Sequence, residues 1–151
     1  MKKFLLLLFL IGSLLLVGCT KINPKITPLT NKGVNTLNLQ EIKIHTIDPR
    51  EVDEFLKREN IGIIDSRTKE EFNEGTLDNR AILIEIKKGD ELEGSLKIFK
   101  REVNKLDKEK VWFIYCGSGL RSDRGAVIMI ENGFKNIYEL KGGLQEYESK
   151  K

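Results

Sequence analysis

The most informative residue in this sequence is Cys116, which follows the apolar run Val111–Tyr115 and precedes Arg121 by five positions. The length and composition of that run predict a buried strand, and the residues after the loop predict a helix. Glycines in such a loop let backbone N–H groups turn inward, and the helix N-terminus adds N–H groups and a positive dipole end. These groups favour a thiolate over a thiol and could also hold a persulfide or an oxyanion.

Residues around Cys116 supply further groups for an anionic sulfur. Arg124 adds a second positive charge to the start of the predicted helix, and Ser122 is placed to cap that helix. The candidate binding residues for the sulfur are therefore the loop residues Gly117, Ser118, Gly119 and Leu120 together with Ser122.

Strand and helix patterns alternate through the second part of the chain. The predicted strands are residues 42–47, 61–64, 81–86, 111–115 and 137–140. Predicted helices begin at the Asp48–Pro49 pair, at Thr68, near Leu92, at Leu120 and close to Leu144. This alternation predicts an α/β fold with a five-stranded, mostly parallel sheet flanked by helices on both faces.

Two of the predicted strands end in polar or reactive residues. Cys116 follows one of them, and Asp65 and Arg67 follow another. Because ligands of open parallel sheets bind at the carboxyl ends of the strands, we expect these side chains to lie at one edge.

The N-terminal segment predicts export. Lys2 and Lys3 precede an apolar run at 4–17, which is shorter than the ~20 residues that cross a bilayer and is typical of a signal peptide. Residues 16–19, Leu-Val-Gly-Cys, resemble the lipobox of bacterial lipoproteins. That resemblance implies cleavage before Cys19 and a diacylglyceryl anchor on its sulfur. An ordinary secretory signal with an incidental Cys19 is the alternative, and it also exports the protein.

The predicted organisation is a signal peptide at 1–18, a lipidated cysteine with a flexible tether at 19–40, and a folded domain at 41–151. We expect the domain to be monomeric and tethered to the extracytoplasmic face of a bacterial membrane. The precursor has 26 basic and 23 acidic residues, and removing the two N-terminal lysines leaves a net charge of only +1. A net charge this close to zero does not indicate a nucleic-acid-binding protein.

The cysteine count is informative because the chain has only two cysteines. If Cys19 carries lipid, Cys116 has no partner in the chain for a disulfide. An unpaired thiol in an exported protein calls for a chemical role. The single histidine, His45, and the lack of a further usable cysteine argue against a metal site or a cysteine–histidine protease.

Several segments together resemble the rhodanese family over about residues 42–148. The segments are Cys-Gly-Ser-Gly-Leu-Arg-Ser at 116–122, Gly-Ala at 125–126, Gly-Phe at 133–134, Leu-Lys-Gly-Gly at 140–143, Ile-Ile-Asp-Ser-Arg at 63–67, Glu-Phe at 71–72 and Gly75. The resemblance departs from the family pattern at Thr76, where a histidine is usual.

The resemblance implies a sulfurtransferase of the thiosulfate type that needs no metal or organic cofactor. Cys116 would be the nucleophile that takes a sulfane sulfur from a small donor and passes it to cyanide or a thiol. Arg121 would close the loop and assist anionic donors, while Asp65, Arg67 and Arg124 would support the site. Ping-pong kinetics would follow.

Two other functions remain open at this point. The domain could be a non-catalytic binding or redox-sensing module in which Cys116 is merely oxidisable. A phosphatase or arsenate reductase is less favoured, because the phosphatases that share this fold have five residues between cysteine and arginine. Only four residues, 117–120, separate them in this chain.

Overall fold

A computed structural model describes residues 44–151. The signal segment, Cys19, the tether and the start of the first predicted strand lie outside the described residues. Five strands form one sheet: β1 Ile44–Ile47, β2 Ile61–Asp65, β3 Ala81–Leu83, β4 Val111–Tyr115 and β5 Asn136–Leu140.

Five α-helices connect and flank the strands: α1 Val52–Phe55, α2 Lys69–Asn73, α3 Leu92–Val103, α4 Leu120–Glu131 and α5 Gly143–Glu148. Single 3₁₀ turns at Pro49–Glu51 and Gly89–Glu91 precede α1 and α3. The Asp48 side chain accepts a hydrogen bond from the Arg50 N–H, so it caps the first of these turns as the sequence predicts.

All strand pairs in the described sheet are parallel, and the strand order is β1-β5-β4-β2-β3. β2 and β4 are neighbours, and Asp65 lies in register with Tyr115. The residues that follow these two strands therefore leave the sheet side by side. The predicted α/β fold with its five-stranded sheet is confirmed.

Each face of the sheet packs against a separate apolar core. On one face α3 and α4 contribute Phe99, Val103, Ala126 and Met129. On the other face α1 and α5 contribute Val52, Phe55, Leu144 and Tyr147. Burial of these side chains fixes both helical layers to the sheet, at roughly 1.5–3 kcal/mol for each large apolar group.

The strand predicted at 81–86 is shorter in the structure. Only Ala81–Leu83 pairs with β2, because β2 ends at Asp65. The chain then continues with two separate backbone bonds, from Ile84 N–H to the Asp65 carbonyl and from Ile86 N–H to the Ser66 carbonyl. Ile84 and Ile86 are buried, so the apolar alternation is real even though the ladder stops.

The helix predicted to begin near Leu92 ends at Val103. Leu106 lies in the turn that follows, where its N–H donates a hydrogen bond to the Val103 carbonyl. Its side chain still packs against the core. Within 44–151, no helix is both long enough and apolar enough to cross a membrane.

Candidate functional site

The sulfur of Cys116 lies inside the loop that joins β4 to α4. The residue is completely buried, and it is a free cysteine. Its Sγ accepts a hydrogen bond from the Gly119 N–H at 3.2 Å and lies 3.6 Å from the Ser122 Oγ. Gly119 adopts φ +91°, a conformation that favours glycine.

The N-terminus of α5 holds the other side of this loop. The Leu144 N–H donates to the Cys116 carbonyl and the Gln145 N–H donates to the Gly117 carbonyl, both at 2.9 Å. With these carbonyls tied to α5, the peptide groups of the loop keep a fixed orientation. Gly143 permits the approach, since a Cβ there would lie 2.6 Å from both carbonyl oxygens.

Arg121 is buried and forms a bidentate ion pair with Glu71 of α2. Its Nη1 and Nη2 donate to the two carboxylate oxygens at 2.6 and 2.8 Å. The hydrogen bonds from Arg121 hold the pKa of Glu71 down at about 2 despite partial burial. Glu71 is itself fixed by a capping box in which its carboxylate accepts from the Thr68 N–H at 2.9 Å.

The Nε of Arg121 has no partner, and it is the only buried side-chain nitrogen or oxygen in residues 44–151 without one. The residue is only 4% exposed, so this donor is shielded from bulk water. The Cys116 sulfur is among the groups that raise the pKa of Arg121, after the hydrogen bonds to Glu71. Arg121 therefore keeps one buried N–H donor without a partner in the first turn of α4.

Asp65 and Arg67 also form a buried ion pair, with side-chain exposures of 0% and 10%. The Asp65 carboxylate accepts from the Arg67 backbone N–H and from its guanidinium at 2.7–3.1 Å. The same guanidinium donates to the Gly75 carbonyl at 2.5 Å. These bonds tie the end of β2 to the turn after α2, which is a supporting role beside the loop.

Other predicted residues lie farther from the sulfur. Arg124 is exposed on α4, and within the described residues no hydrogen bond or ion pair joins it to the cysteine loop. Leu120 is 67% exposed, so only its backbone can serve the loop. Ser118 is exposed as well. Ser122 is fully buried and lies inside the first turn of α4, where its hydroxyl donates to the Gly119 carbonyl at 2.8 Å. The predicted cap is wrong, because the N-cap position is Gly119 and no side chain caps this helix.

A polar cleft of about 450 Å³ lies between the turn after α2 and helix α5, and no residue of the cysteine loop lines it. Arg67, Thr76 and Leu77 line one side, and Leu144 and Tyr147 line the other. Thr76, which stands at the position of the usual histidine, donates its hydroxyl to the Asp78 carbonyl at 3.0 Å. Within 44–151 no cluster of three or more His, Cys, Asp or Glu side chains could hold a metal ion.

Two residues of the site were missed by the sequence analysis as site residues. Glu71 could have been found from the Thr68-x-x-Glu71 pattern, which predicts a capping box that orients its carboxylate. Glu139 is buried on β5, with its Oε1 2.6 Å from the Ser122 Oγ. It lies two positions after the buried, apolar Ile137, so the two side chains point to the same face of the strand.

A parallel α/β sheet whose carboxyl edge carries a loop of this kind around one cysteine defines the rhodanese-like class of domains. The family model described as "Rhodanese-like domain" matches residues 48–150. The chain belongs to this family.

Curated relatives share this region at lower identity. The chain is 29% identical over 127 residues to the tRNA uridine(34) hydroxylase of Pelagibacter ubique, an alignment that covers 84% of this chain and 38% of that protein. It is 31% identical over 114 residues to the enzyme of the same name from Photorhabdus laumondii, covering 70% and 31%. The chain thus spans about a third of the length of these relatives.

Solved structures show the same fold. A rhodanese-related protein from Thermoplasma volcanium superposes with a TM-score of 0.56 at 19% identity, covering 70% of this chain and 92% of that one. A rhodanese-like domain protein from Staphylococcus aureus gives a TM-score of 0.54 at 24% identity, covering 69% and 91%.

Proposed function

We propose that this protein is a sulfurtransferase that carries a sulfane sulfur as a persulfide on Cys116. The observation that carries the proposal is the sulfur's environment: the Gly119 N–H donates to Sγ at 3.2 Å, and the Ser122 hydroxyl lies 3.6 Å away. Donors aimed at one sulfur stabilise an anionic sulfur more than a neutral one. Membership of the rhodanese-like family supports the same chemistry.

The reaction divides into two half-reactions. The Cys116 thiolate attacks the outer sulfur of thiosulfate, a new S–S bond forms, and sulfite leaves with the electron pair of the old S–S bond. Cyanide then attacks the outer sulfur of the persulfide, the S–S bond breaks, and thiocyanate leaves while the thiolate is restored. No net oxidation is needed, because the sulfane sulfur moves between two nucleophiles.

The chain's own residues would hold the charge in both steps. The Gly119 N–H and the Ser122 hydroxyl face the sulfur, and the buried guanidinium of Arg121 places a positive charge at the end of the loop. The α5 N-terminus keeps the loop rigid through the carbonyls of Cys116 and Gly117. Such fixed dipoles cost little reorganisation when the negative charge moves.

A thiosulfate:cyanide assay on the full chain in detergent tests the proposal, with Cys116→Ser as the matched control. We expect thiocyanate formation by the wild type and none above background by the variant. Mass spectrometry after thiosulfate treatment should show one added sulfur atom on Cys116. Equal thiocyanate production by both proteins would sink the catalytic assignment, and a missing sulfur adduct would favour the binding-module alternative.

The activity named for the curated relatives is not proposed for this chain, because the aligned part is about a third of those proteins. The thiosulfate donor and the cyanide acceptor are the probes of the assay. A donor and acceptor screen on the wild type would identify the small sulfur donor and the thiol or other acceptor that serve in the cell.

We further propose that the protein is exported and anchored to the extracytoplasmic face of a bacterial membrane through lipid on Cys19. The support is the order of Lys2 and Lys3, the apolar run at 4–17 and the Leu-Val-Gly-Cys segment at 16–19. Fractionation of cells that express the wild type or Cys19→Ala tests it. The wild type should stay with the membranes and the variant should be released, whereas equal distribution would contradict the anchor.

A further inference from the structure

Glu139 is a buried acid that the transfer chemistry described above does not use. Its side chain leaves β5 on the face covered by α4, and the residue is only 6% exposed. The Oε1 lies 2.6 Å from the Ser122 Oγ, which in turn lies 3.6 Å from the Cys116 Sγ. Among the ion pairs of residues 44–151, none includes Glu139.

Ser122 can serve only one acceptor at a time with its single hydroxyl proton. Three groups compete for that proton: the Gly119 carbonyl at 2.8 Å, the Cys116 Sγ and the Glu139 carboxyl. A neutral carboxylic acid can donate its own proton to Ser122 and leave the hydroxyl proton for the carbonyl or the sulfur. An ionised carboxylate at 2.6 Å accepts a hydrogen bond from the serine hydroxyl, which then cannot donate to the sulfur.

We propose that Glu139 is a positioning residue that controls, through Ser122, whether the Cys116 sulfur receives a hydrogen bond from the serine hydroxyl. The protonated acid leaves that bond available and adds no negative charge beside the sulfur. The ionised acid removes the bond and places a second anion behind the loop. The consequence for sulfur transfer rests on the proposed function, while the coupling between the two side chains does not.

The surroundings of Glu139 favour its neutral form over its ionised form. Burial raises the pKa of Glu139 to about 8, and the Asp123 carboxylate on α4 adds to the rise while Ser122 opposes it. The facing titratable groups are therefore Asp123 of α4 and Cys116 behind Ser122. The register neighbours of Glu139 on β1 and β4 are Thr46 and Ile114, which carry no charge.

The test follows both titrations in the full chain in detergent. Ultraviolet absorbance of the thiolate, corrected with the matching Cys116→Ser protein, gives its midpoint in the wild type and in Glu139→Gln. Carboxyl 13C chemical shifts give the Glu139 midpoint in the wild type and in Cys116→Ser. The group that ionises second does so against the negative charge of the first, so its pKa is raised. Replacing the first group should therefore lower the titration midpoint of the second by about one pH unit. Two unchanged midpoints would overturn the proposal.

Ser122→Ala separates the hydroxyl route from a direct charge effect. In that background we expect the coupling between Glu139 and Cys116 to fall by half or more. A coupling of undiminished size would show that Glu139 acts through space, and it would overturn the role given to Ser122. The matched control is Glu131→Gln, which changes an exposed glutamate at the end of α4 and should shift neither midpoint.

These readouts need no sulfur donor, so they distinguish the two proposals. A protein with coupled midpoints and no thiocyanate production would retain the proposed coupling and lose the proposed activity. An active protein with uncoupled midpoints would retain the proposed activity and lose the proposed coupling. If Glu139→Gln fails to fold, as judged by circular dichroism, the shape of the Glu139 13C titration decides the outcome, whichever group ionises first. In the wild type it should show a second step at the thiolate midpoint, and a curve identical to that of Cys116→Ser would overturn the proposal.

Discussion

Glu71 and Arg121, 50 positions apart in the chain, form a bidentate ion pair across the cysteine loop. Both terminal nitrogens of the guanidinium are used by the carboxylate, at 2.6 and 2.8 Å. The pair joins the short helix α2 to the first turn of α4, directly after the cysteine loop.

Glu71→Gln should lower the free energy of unfolding at pH 7 by about 1–3 kcal/mol, since the nearly buried Arg121 loses its counter-charge. The pKa of Glu71 is lowered to about 2, so its stabilisation is complete above its ordinary pKa and is lost as the pH falls toward 2. Urea unfolding at pH 7 and at pH 3 should show the difference between the proteins shrinking at the lower pH.

Glu74→Gln is the matched control for that experiment, because Glu74 is an exposed acid at the end of the same helix. It should leave the unfolding free energy unchanged at both pH values. A Glu71→Gln protein as stable as the control at pH 7 would contradict the structural importance of the pair.

Gly143→Ala should disrupt the contact between α5 and the cysteine loop. The new Cβ would meet the Cys116 and Gly117 carbonyl oxygens at 2.6 Å, and the residue has φ +65°. We expect a loss of about 3 kcal/mol in thermal or urea unfolding, of which the positive φ accounts for about 1–2 kcal/mol. Gly89→Ala isolates that part, since Gly89 has φ +61° and open space around its Cβ. Equal losses in the two variants would refute the close contact.

Asp65→Asn should be strongly destabilising, because it leaves the buried guanidinium of Arg67 without a counter-charge. Breaking a buried pair from one side costs about 3–5 kcal/mol, which urea unfolding can measure. Glu54→Gln removes one partner of the exposed Lys57–Glu54 pair and should cause no measurable change. Similar behaviour of the two variants would argue against a supporting role for Asp65.

Glu139→Gln should alter how stability depends on pH. The pKa of Glu139 is raised to about 8, so the wild type binds this proton more tightly than the unfolded chain does. Its stability should therefore fall as the pH rises from about 5 to above 8, by a few kcal/mol at about 1.4 kcal/mol for each tenfold change in proton affinity. Urea unfolding of Glu139→Gln should lack this decline. Glu59→Gln, in an exposed turn, should retain it.

The position of the cysteine loop could be predicted from the sequence because it depends on local patterns. An apolar run that ends at Tyr115 and another that ends at Asp65 suffice to place Cys116 and Asp65 at one edge of a parallel sheet. The extent of β3 could not be read in the same way. The alternation of Ile82, Ile84 and Ile86 continues past the point where β2 stops providing partners.

The partners of the loop depend on distant parts of the chain, and their identity is a property of tertiary packing. The sequence marks Arg121 as a cation near the sulfur, but the pairing with Glu71 follows only once α2 lies beside α4. Likewise, the donation of α5 amides to the Cys116 and Gly117 carbonyls depends on the placement of the last helix. The assignment of roles in sulfur transfer to these residues stays a prediction.

The contact of α5 with the cysteine loop also sets an order of events during biosynthesis. The ribosome makes Cys116 before it makes Gly143, Leu144 and Gln145, whose backbone completes the loop. Until those residues emerge, the thiol has neither its final orientation nor its cover. A chain that stalls during synthesis or translocation would therefore expose an immature thiol that is open to stray oxidation, and the finished site would appear only when the final helix docks.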